Sequence, residues 1–277
     1  MSIKNGLKMP EGPEVKRNAM ALAEAVSGKT VESIEILSGR YSRSPILGLS
    51  EYTPVLPDRI IGAGAHGKFI YVLCSSGWNF WSTLGMTGIW SKNKTKHTRI
   101  AINFKNSDRQ VYFNDIRNFG TFKIVYGKKS LVQKIKKLGP DLLSENTDII
   151  ELVKNLRVKN EWNICKALMN QSLIAGIGNY IKSEALWKTK ISPLKKIKEL
   201  EDYELVELID AAKQIMISSY DSGGASFMTH ADFDGKEGDY ATGFLCYGRK
   251  IDALGNKVTK TKTPDGRNTH WSPRRQR

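Results

Sequence analysis

A chain of 277 residues with 40% hydrophobic and 26% charged side chains can build a packed core, which excludes a disordered or fibrous protein. Lys and Arg number 43 against 28 Asp and Glu, and a net charge of +15 belongs on a surface that faces a polyanion, nucleic acid before an acidic membrane. No apolar run approaches a membrane span or a signal segment, and three scattered cysteines (Cys74, Cys165, Cys246) exclude a disulfide framework and a four-cysteine zinc site, so an intracellular monomer is expected.

The first predicted element is a helix over 14–26, where Val15, Ala19, Leu22, Ala23 and Val26 share a face and Gly28 stops the run. The texture then changes to short β-branched and aromatic stretches: TVESIEIL, RIIGAG, KFIYVLC, WNFWSTLG, RIAINF and QVYFND, with turn residues between them. This predicts an antiparallel sandwich or barrel. Tyr41 to Pro57 contains three prolines and is expected to be an irregular loop, and the sheet pattern fades beyond Phe122. A basic helix follows over 128–137, then the turn-rich LGPDLLSENTD, then helical periodicity from Asp148 to about Tyr220. Ser222 to Gly243 is rich in Gly and Asp and long for a loop, which suggests a functional one. The last 35 residues return to strand texture, FLCYGRKI and NKVTKTKT with a turn at PDGRN, and hold nine basic against two acidic side chains. Nearly half of the charge excess therefore lies in this tail.

Certain strings carry chemistry. MPEGPEVKR (9–17), HGKFIYVL, LGMTGIW, FNDIRNFGTF, NQSLIAGIGNYIKSEALW (170–187) and PDGRNTHWSPRRQ resemble, in that order, the motifs of the formamidopyrimidine-DNA glycosylase and endonuclease VIII family of base-excision repair. The resemblance runs from Met9 to the end of the chain. It implies an α+β, multi-domain protein: an N-terminal helix and antiparallel β-sandwich over 10–138, and a linker over 139–155. A helix–two-turn–helix domain with a lesion loop would fill 156–242, and a β-hairpin finger 243–277.

The resemblance also implies roles. Pro10 becomes the nucleophile once it is the chain's first residue. An α-amino group, with a pKa of about 8, offers far more neutral amine at pH 7 than a lysine at about 10.4. Glu11 would be the general acid/base, with Glu14 supporting it one helical turn on. Lys68, at the head of an apolar strand, would contact phosphates around the lesion and assist elimination. Met86, with Arg117 and Phe119 on one face of an extended segment, would fill the gap left by an everted nucleotide. His97 would contact phosphate, as would Asn179 and free N–H groups at the start of its helix, reached over Ala175 to Gly178. The family's zinc ligands are missing: Ser272 and Arg275 stand where cysteines would be, and Cys246 does not match a ligand. A zincless finger is expected, packed by residues such as Trp271 and delivering Arg267 to the lesion phosphate. No metal or cofactor is implied. The expected partner is damaged double-stranded DNA, not a membrane, and the expected activity is a bifunctional glycosylase and AP lyase for oxidised bases. The alternative is a catalytically silent damaged-DNA binder, since MSIKNGLK precedes Met9 and, if retained, leaves Pro10 a tertiary amide; initiation or processing at Met9, with Met9 trimmed, is expected to free it.

Overall fold

The structure, a computed structural model, describes residues 10–225, 233–234 and 240–277. It divides into two compact units, one holding residues 14–136 and 223–238 together with Pro10, the other 11–13, 137–222 and 239–277.

The first unit takes in α1 (Gly12–Val26) from Glu14 onward, and its turns bring Val15, Ala19, Leu22 and Val26 onto one buried stripe. Eight strands follow: β1 (Thr30–Ile36), β2 (Asp58–His66), β3 (Phe69–Cys74), β4 (Trp78–Thr83), β5 (Gly88–Ser91), β6 (Thr98–Phe104), β7 (Gln110–Asp115) and β8 (Thr121–Tyr126). They pair in the order β5-β7-β6-β1-β2-β3-β4-β8, all antiparallel. The β1–β2 junction has two rungs, Thr30 with Arg59 and Val31 with Asp58, so the ladder turns a corner there and closes into a sandwich. Ile60, Ile70, Phe80, Trp90, Ile100, Phe113, Phe122 and Ile124 fill the interior with the stripe of α1. Asn18 docks the helix by pairing with the Trp90 backbone in both directions, at 2.7 and 3.0 Å, as a neighbouring strand would.

Two expectations for this unit need correction. The sheet does not fade at Phe122, because β8 continues to Tyr126 with Phe122 and Ile124 inward and Lys123 and Val125 half-buried on the other side. The stretch from Tyr41 to Pro57 is not merely irregular. It holds a 3-10 turn, the short helix α2 (Leu49–Tyr52) and three side chains, Tyr41, Ile46 and Tyr52, that complete the sandwich core. The basic helix α3 (Lys128–Lys136) falls as predicted.

The second unit is helical: α4 (Ile149–Arg157), α5 (Ile164–Met169), α6 (Asn179–Lys188) and α7 (Asp202–Asp221). Three of the four starts are specified locally. Asp148 accepts from the N–H groups of Ile150 and Glu151, Asn163 from those of Cys165 and Lys166, and Glu201 with Glu204 forms a capping box. From Tyr180 to Trp187 every side chain of α6 is buried, including Lys182 and Glu184, so each charge on it must be paired. Last comes a two-stranded hairpin, β9 (Thr259–Lys262) with β10 (Asn268–Trp271). FLCYGRKI is not a strand beyond one isolated bridge at Ile251, because its backbone N–H groups are drawn to a side chain, as described below. The expected lesion loop lies mostly outside the described residues, at 226–232 and 235–239.

Candidate active site

The ten candidate residues are distributed over both units. In the first, Pro10 is buried ahead of α1, and Glu14 accepts a hydrogen bond from the Ala225 N–H at 2.8 Å. Lys68 occupies the two-residue turn between β2 and β3, at the head of the apolar strand as expected. His97 immediately precedes β6, half-buried, and its carbonyl accepts from the Asp115 N–H at 3.0 Å. Met86 lies on the turn joining β4 to β5.

Arg117 and Phe119 are not on an extended segment. Residues 116–118 form a bend between β7 and β8, and Asn118 between them takes a left-handed conformation at φ 59°. The bend achieves what a shared strand face would have done: the Arg117 guanidinium lies 4.9 Å from the centre of the Phe119 ring. Phe119 is 52% exposed, so an aromatic surface is offered to solvent at a fixed place.

In the second unit Glu11 is only 2% exposed, and its carboxylate accepts from the N–H groups of Tyr180 at 2.8 Å and Ile181 at 3.2 Å. Those are among the first N–H groups of α6, which has no side-chain cap from Gly178. The expectation of a helix start with free N–H groups is therefore corrected: two of those donors already serve a carboxylate, which also faces the positive end of the helix dipole. Gly178 is required for this. A Cβ there would come within 2.1 Å of the Glu11 Cδ atom. Gly178→Ala should therefore displace Glu11, cost about 1–3 kcal/mol through overpacking, and lower activity more than it lowers Tm. Thermal melting beside single-turnover kinetics checks this.

Asn179 opens α6. Its side-chain amide donates to the Asn268 carbonyl at 3.1 Å and reaches the Tyr247 hydroxyl at 3.5 Å, while its Oδ1 is buried without a hydrogen-bond partner among the described residues. Tyr247 was not singled out from the sequence. Its hydroxyl pKa is pushed up to about 12, by burial first and by the charge of Glu11 second, so it stays protonated. Arg267 is exposed at the end of the Thr263–Arg267 turn between β9 and β10. The turn closes through Thr263 N–H to Arg267 O at 3.0 Å and Gly266 N–H to Thr263 O at 2.8 Å.

Buried polar side chains hold this hairpin, and neither its composition nor its periodicity announces them. Lys182 of α6 meets Asp265 at 2.6 Å with both side chains almost fully enclosed. Glu184 accepts the N–H groups of Leu245, Cys246 and Tyr247 at 2.8, 2.8 and 2.6 Å, which is why that segment leaves strand geometry. Asp252 accepts from Ser272 Oγ at 2.7 Å, Trp187 Nε1 at 2.9 Å and the N–H groups of Leu254 and Asn256 at 2.9 and 2.8 Å. Burial alone would raise the Asp252 pKa, but these donors outweigh it and hold the carboxyl well below its usual range. Ser272 thus bonds a carboxylate, and Arg275 stacks 4.2 Å over the Trp187 ring. Trp271 contributes less packing than expected: it is half-buried and donates to Thr261 Oγ1 at 2.9 Å. Cys246 is fully buried and its thiol is pushed up to about 12, chiefly by desolvation, a poor source of the thiolate that zinc prefers. Among the described residues no group of three or more His, Cys, Asp or Glu could hold a metal ion, and no helix is long and apolar enough to cross a membrane.

A β-sandwich led by a helix, followed by a capped helical unit and a basic hairpin, has known counterparts. Residues 9–122 match the formamidopyrimidine-DNA glycosylase N-terminal domain and residues 138–230 the formamidopyrimidine-DNA glycosylase H2TH domain. Curated formamidopyrimidine-DNA glycosylases are similar along their length. That of Listeria monocytogenes is 30% identical over 96% of this chain and 98% of its own, and that of Heliobacterium modesticaldum 28% over 97% and 100%. The crystal structure of Lactococcus lactis Fpg with DNA containing an oxidised pyrimidine superposes with a TM-score of 0.84 at 27% identity, covering 97% of this chain and all of that one. The chain belongs to the formamidopyrimidine-DNA glycosylase family.

Proposed function

We propose that this protein is a bifunctional DNA glycosylase and AP lyase that removes oxidised bases from DNA in the cell. Family membership over nearly the whole chain is the observation that carries the reading. The Lactococcus lactis relative has been crystallised on DNA with an abasic site and with an oxidised pyrimidine, which fits a substrate of damaged duplex.

In this mechanism the neutral Pro10 nitrogen attacks C1′ of an everted nucleotide. The N-glycosidic bond breaks and the base departs with the bonding pair, while Glu11 handles the proton exchange at the sugar ring oxygen. The proline nitrogen then loses its proton, the C1′–O4′ bond breaks with its electron pair leaving on O4′ as Glu11 protonates it, and the opened sugar is held as a cationic iminium, an electron sink that acidifies C2′–H. Loss of this proton expels the 3′ phosphate, and a second elimination expels the 5′ phosphate. Lys68 and Arg267 neutralise the phosphates, Met86, Arg117 and Phe119 fill the vacated stack, and His97 and Asn179 grip the backbone, with Glu14 supporting Glu11. Asn179 must exchange its Asn268 and Tyr247 partners for phosphate to do so. Formamidopyrimidines, hydantoins and oxidised pyrimidines are the substrate classes, residues 243–277 act as a zincless finger, and residues 10–138 form the catalytic domain. The Asp252 and Lys182 contacts support a finger held without metal.

A silent DNA-binding paralogue is the second reading, favoured by the residues ahead of Pro10. Borohydride reduction in the presence of lesion duplex separates the two. Protein beginning at Pro10 should become covalently joined to the oligonucleotide; a chain that binds the duplex yet never cross-links is the paralogue.

A further inference from the structure

The three side chains assigned to the vacated stack come from two turns that lie far apart in sequence. Met86 is on the β4–β5 turn, and Arg117 and Phe119 are on the β7–β8 bend. Between them sits a buried pair to which the quoted motifs assign no role. Thr87 Oγ1 donates to Asp115 Oδ1 at 2.5 Å and accepts from the Arg117 N–H at 2.8 Å. Asp115 Oδ2 accepts from the Gly120 N–H at 2.7 Å, so the same carboxylate fixes the far side of the bend. Thr87 is 3% exposed and Asp115 1%. The two backbones also touch: Gly85 has φ 60°, and a Cβ there would lie 2.6 Å from Gly120 N and 2.7 Å from Phe119 C. Arg99 clamps the same bend, donating through Nε to the Asp115 carbonyl at 2.8 Å and through Nη2 to that of Ile116 at 3.3 Å.

We infer that Thr87 and Asp115 form a lock that holds the Met86 turn and the Arg117–Phe119 bend as one rigid block. Thr87 and Asp115 are then positioning residues for insertion into the duplex. The inference rests on the gap-filling role proposed above for those three side chains. Its physical basis is preorganisation: two independently mobile loops would each have to be ordered on the DNA, whereas a locked pair arrives with its geometry set. The Thr87 hydroxyl is central because, from the β4–β5 turn, it both donates to and accepts from the β7–β8 bend. A methyl in its place leaves a buried carboxylate and a buried N–H each short of a partner.

Thr87→Val keeps the shape and removes the hydroxyl; Thr87→Ser keeps the hydroxyl. Two readouts are compared with wild type: fluorescence of 2-aminopurine placed opposite the lesion, which reports insertion, and cleavage of an abasic site in a single-stranded oligonucleotide, where no opposite strand needs filling. Thr87→Val should lose the fluorescence change and slow lesion excision from duplex roughly 10- to 100-fold, with single-strand cleavage within about twofold. Thr87→Ser should restore both duplex signals. Asp115→Asn, which turns an NH2 toward one of its two donors, should repeat the Thr87→Val pattern and serves if that variant folds poorly. The lock is overturned if Thr87→Val matches wild type on duplex, if Thr87→Ser is as damaged as Thr87→Val, or if single-strand cleavage falls equally. Inactive wild-type protein would instead overturn the enzymatic reading, and the fluorescence change on binding would still report the lock.

Discussion

Protein that retains any residue ahead of Pro10 will bind lesion duplex with nearly its full affinity and cut it at least about a thousandfold more slowly than protein beginning at Pro10. The cause is electronic. A proline nitrogen acylated by a preceding residue has its lone pair delocalised into a carbonyl and cannot add to C1′. A chain-terminal α-amino group ordinarily has a pKa of about 8, which leaves about a tenth of such groups neutral at pH 7. Binding should persist because the expected phosphate contacts, Lys68, Asn179 and Arg267, do not involve the proline nitrogen. MSIKNGLKM precedes Pro10 in the sequence, so we propose that the chain starts at Met9, which is then trimmed, or that the extension through Met9 is removed by processing. The measurement is reductive trapping of two preparations, one extended and one starting at Pro10, followed by peptide mapping of the adduct. An extended chain that traps as well as the short one, with the label at Lys68 or elsewhere, would remove Pro10 from the mechanism and leave the family assignment in place.

Much of the fold was legible in the sequence. The apolar stripe of α1, the strands over 30–37 and 68–74, and the helices α4, α5 and α7 are written in local periodicity and capping, so a short window suffices to read them. β5 and β8 were harder. Gly88–Ser91 is too short to show alternation, and β8 is fixed by its ladder to β4, from Trp78 with Tyr126 to Thr83 with Thr121, a pairing across some forty residues. The geometry of Arg117 and Phe119 failed for a related reason. Two-residue spacing implies a shared face only on an extended chain, and the left-handed Asn118 turns the backbone instead.

The site divides in the same way. Pro10, Glu11, Met86 and Arg267 sit in recognisable strings and take their expected roles from them. Thr87, Asp115, Lys182, Glu184 and Asp252 look like ordinary solvated side chains until burial is known. Their importance arises because a polar group deprived of water must find partners, and for Thr87, Asp115 and Lys182 those partners lie on the turns that carry Arg117, Phe119 and Arg267. Glu11 shows how far this can alter a reading: the helix start expected to hold phosphate spends two of its donors on that carboxylate.

Lys182 gives the sharpest test of such indirect action. Replacing it with Met should destabilise the second unit by about 3–5 kcal/mol, because Asp265 is left charged and enclosed. The remaining contacts of that carboxylate are weak compensation: Thr263 donates to its other oxygen while also sharing a 2.7 Å contact with Thr269. Asp265 is two residues from Arg267, so the turn that presents the guanidinium loosens with it. Lesion-duplex affinity should fall in Lys182→Met and in Arg267→Ala alike, but for different reasons that salt distinguishes. Arg267 is exposed, and in the proposed role it pairs with a phosphate, so its loss should reduce the slope of log K against log salt by about one. Lys182 is fully enclosed and touches no phosphate, so its loss should weaken binding with the slope unchanged. Adding Asp265→Asn to Lys182→Met should recover part of the stability, since the stranded charge is gone, without recovering the affinity. A salt slope that falls by one in Lys182→Met would mean that this lysine reaches the DNA itself. Affinity equal to wild type would mean that Arg267 keeps its place without the buried pair.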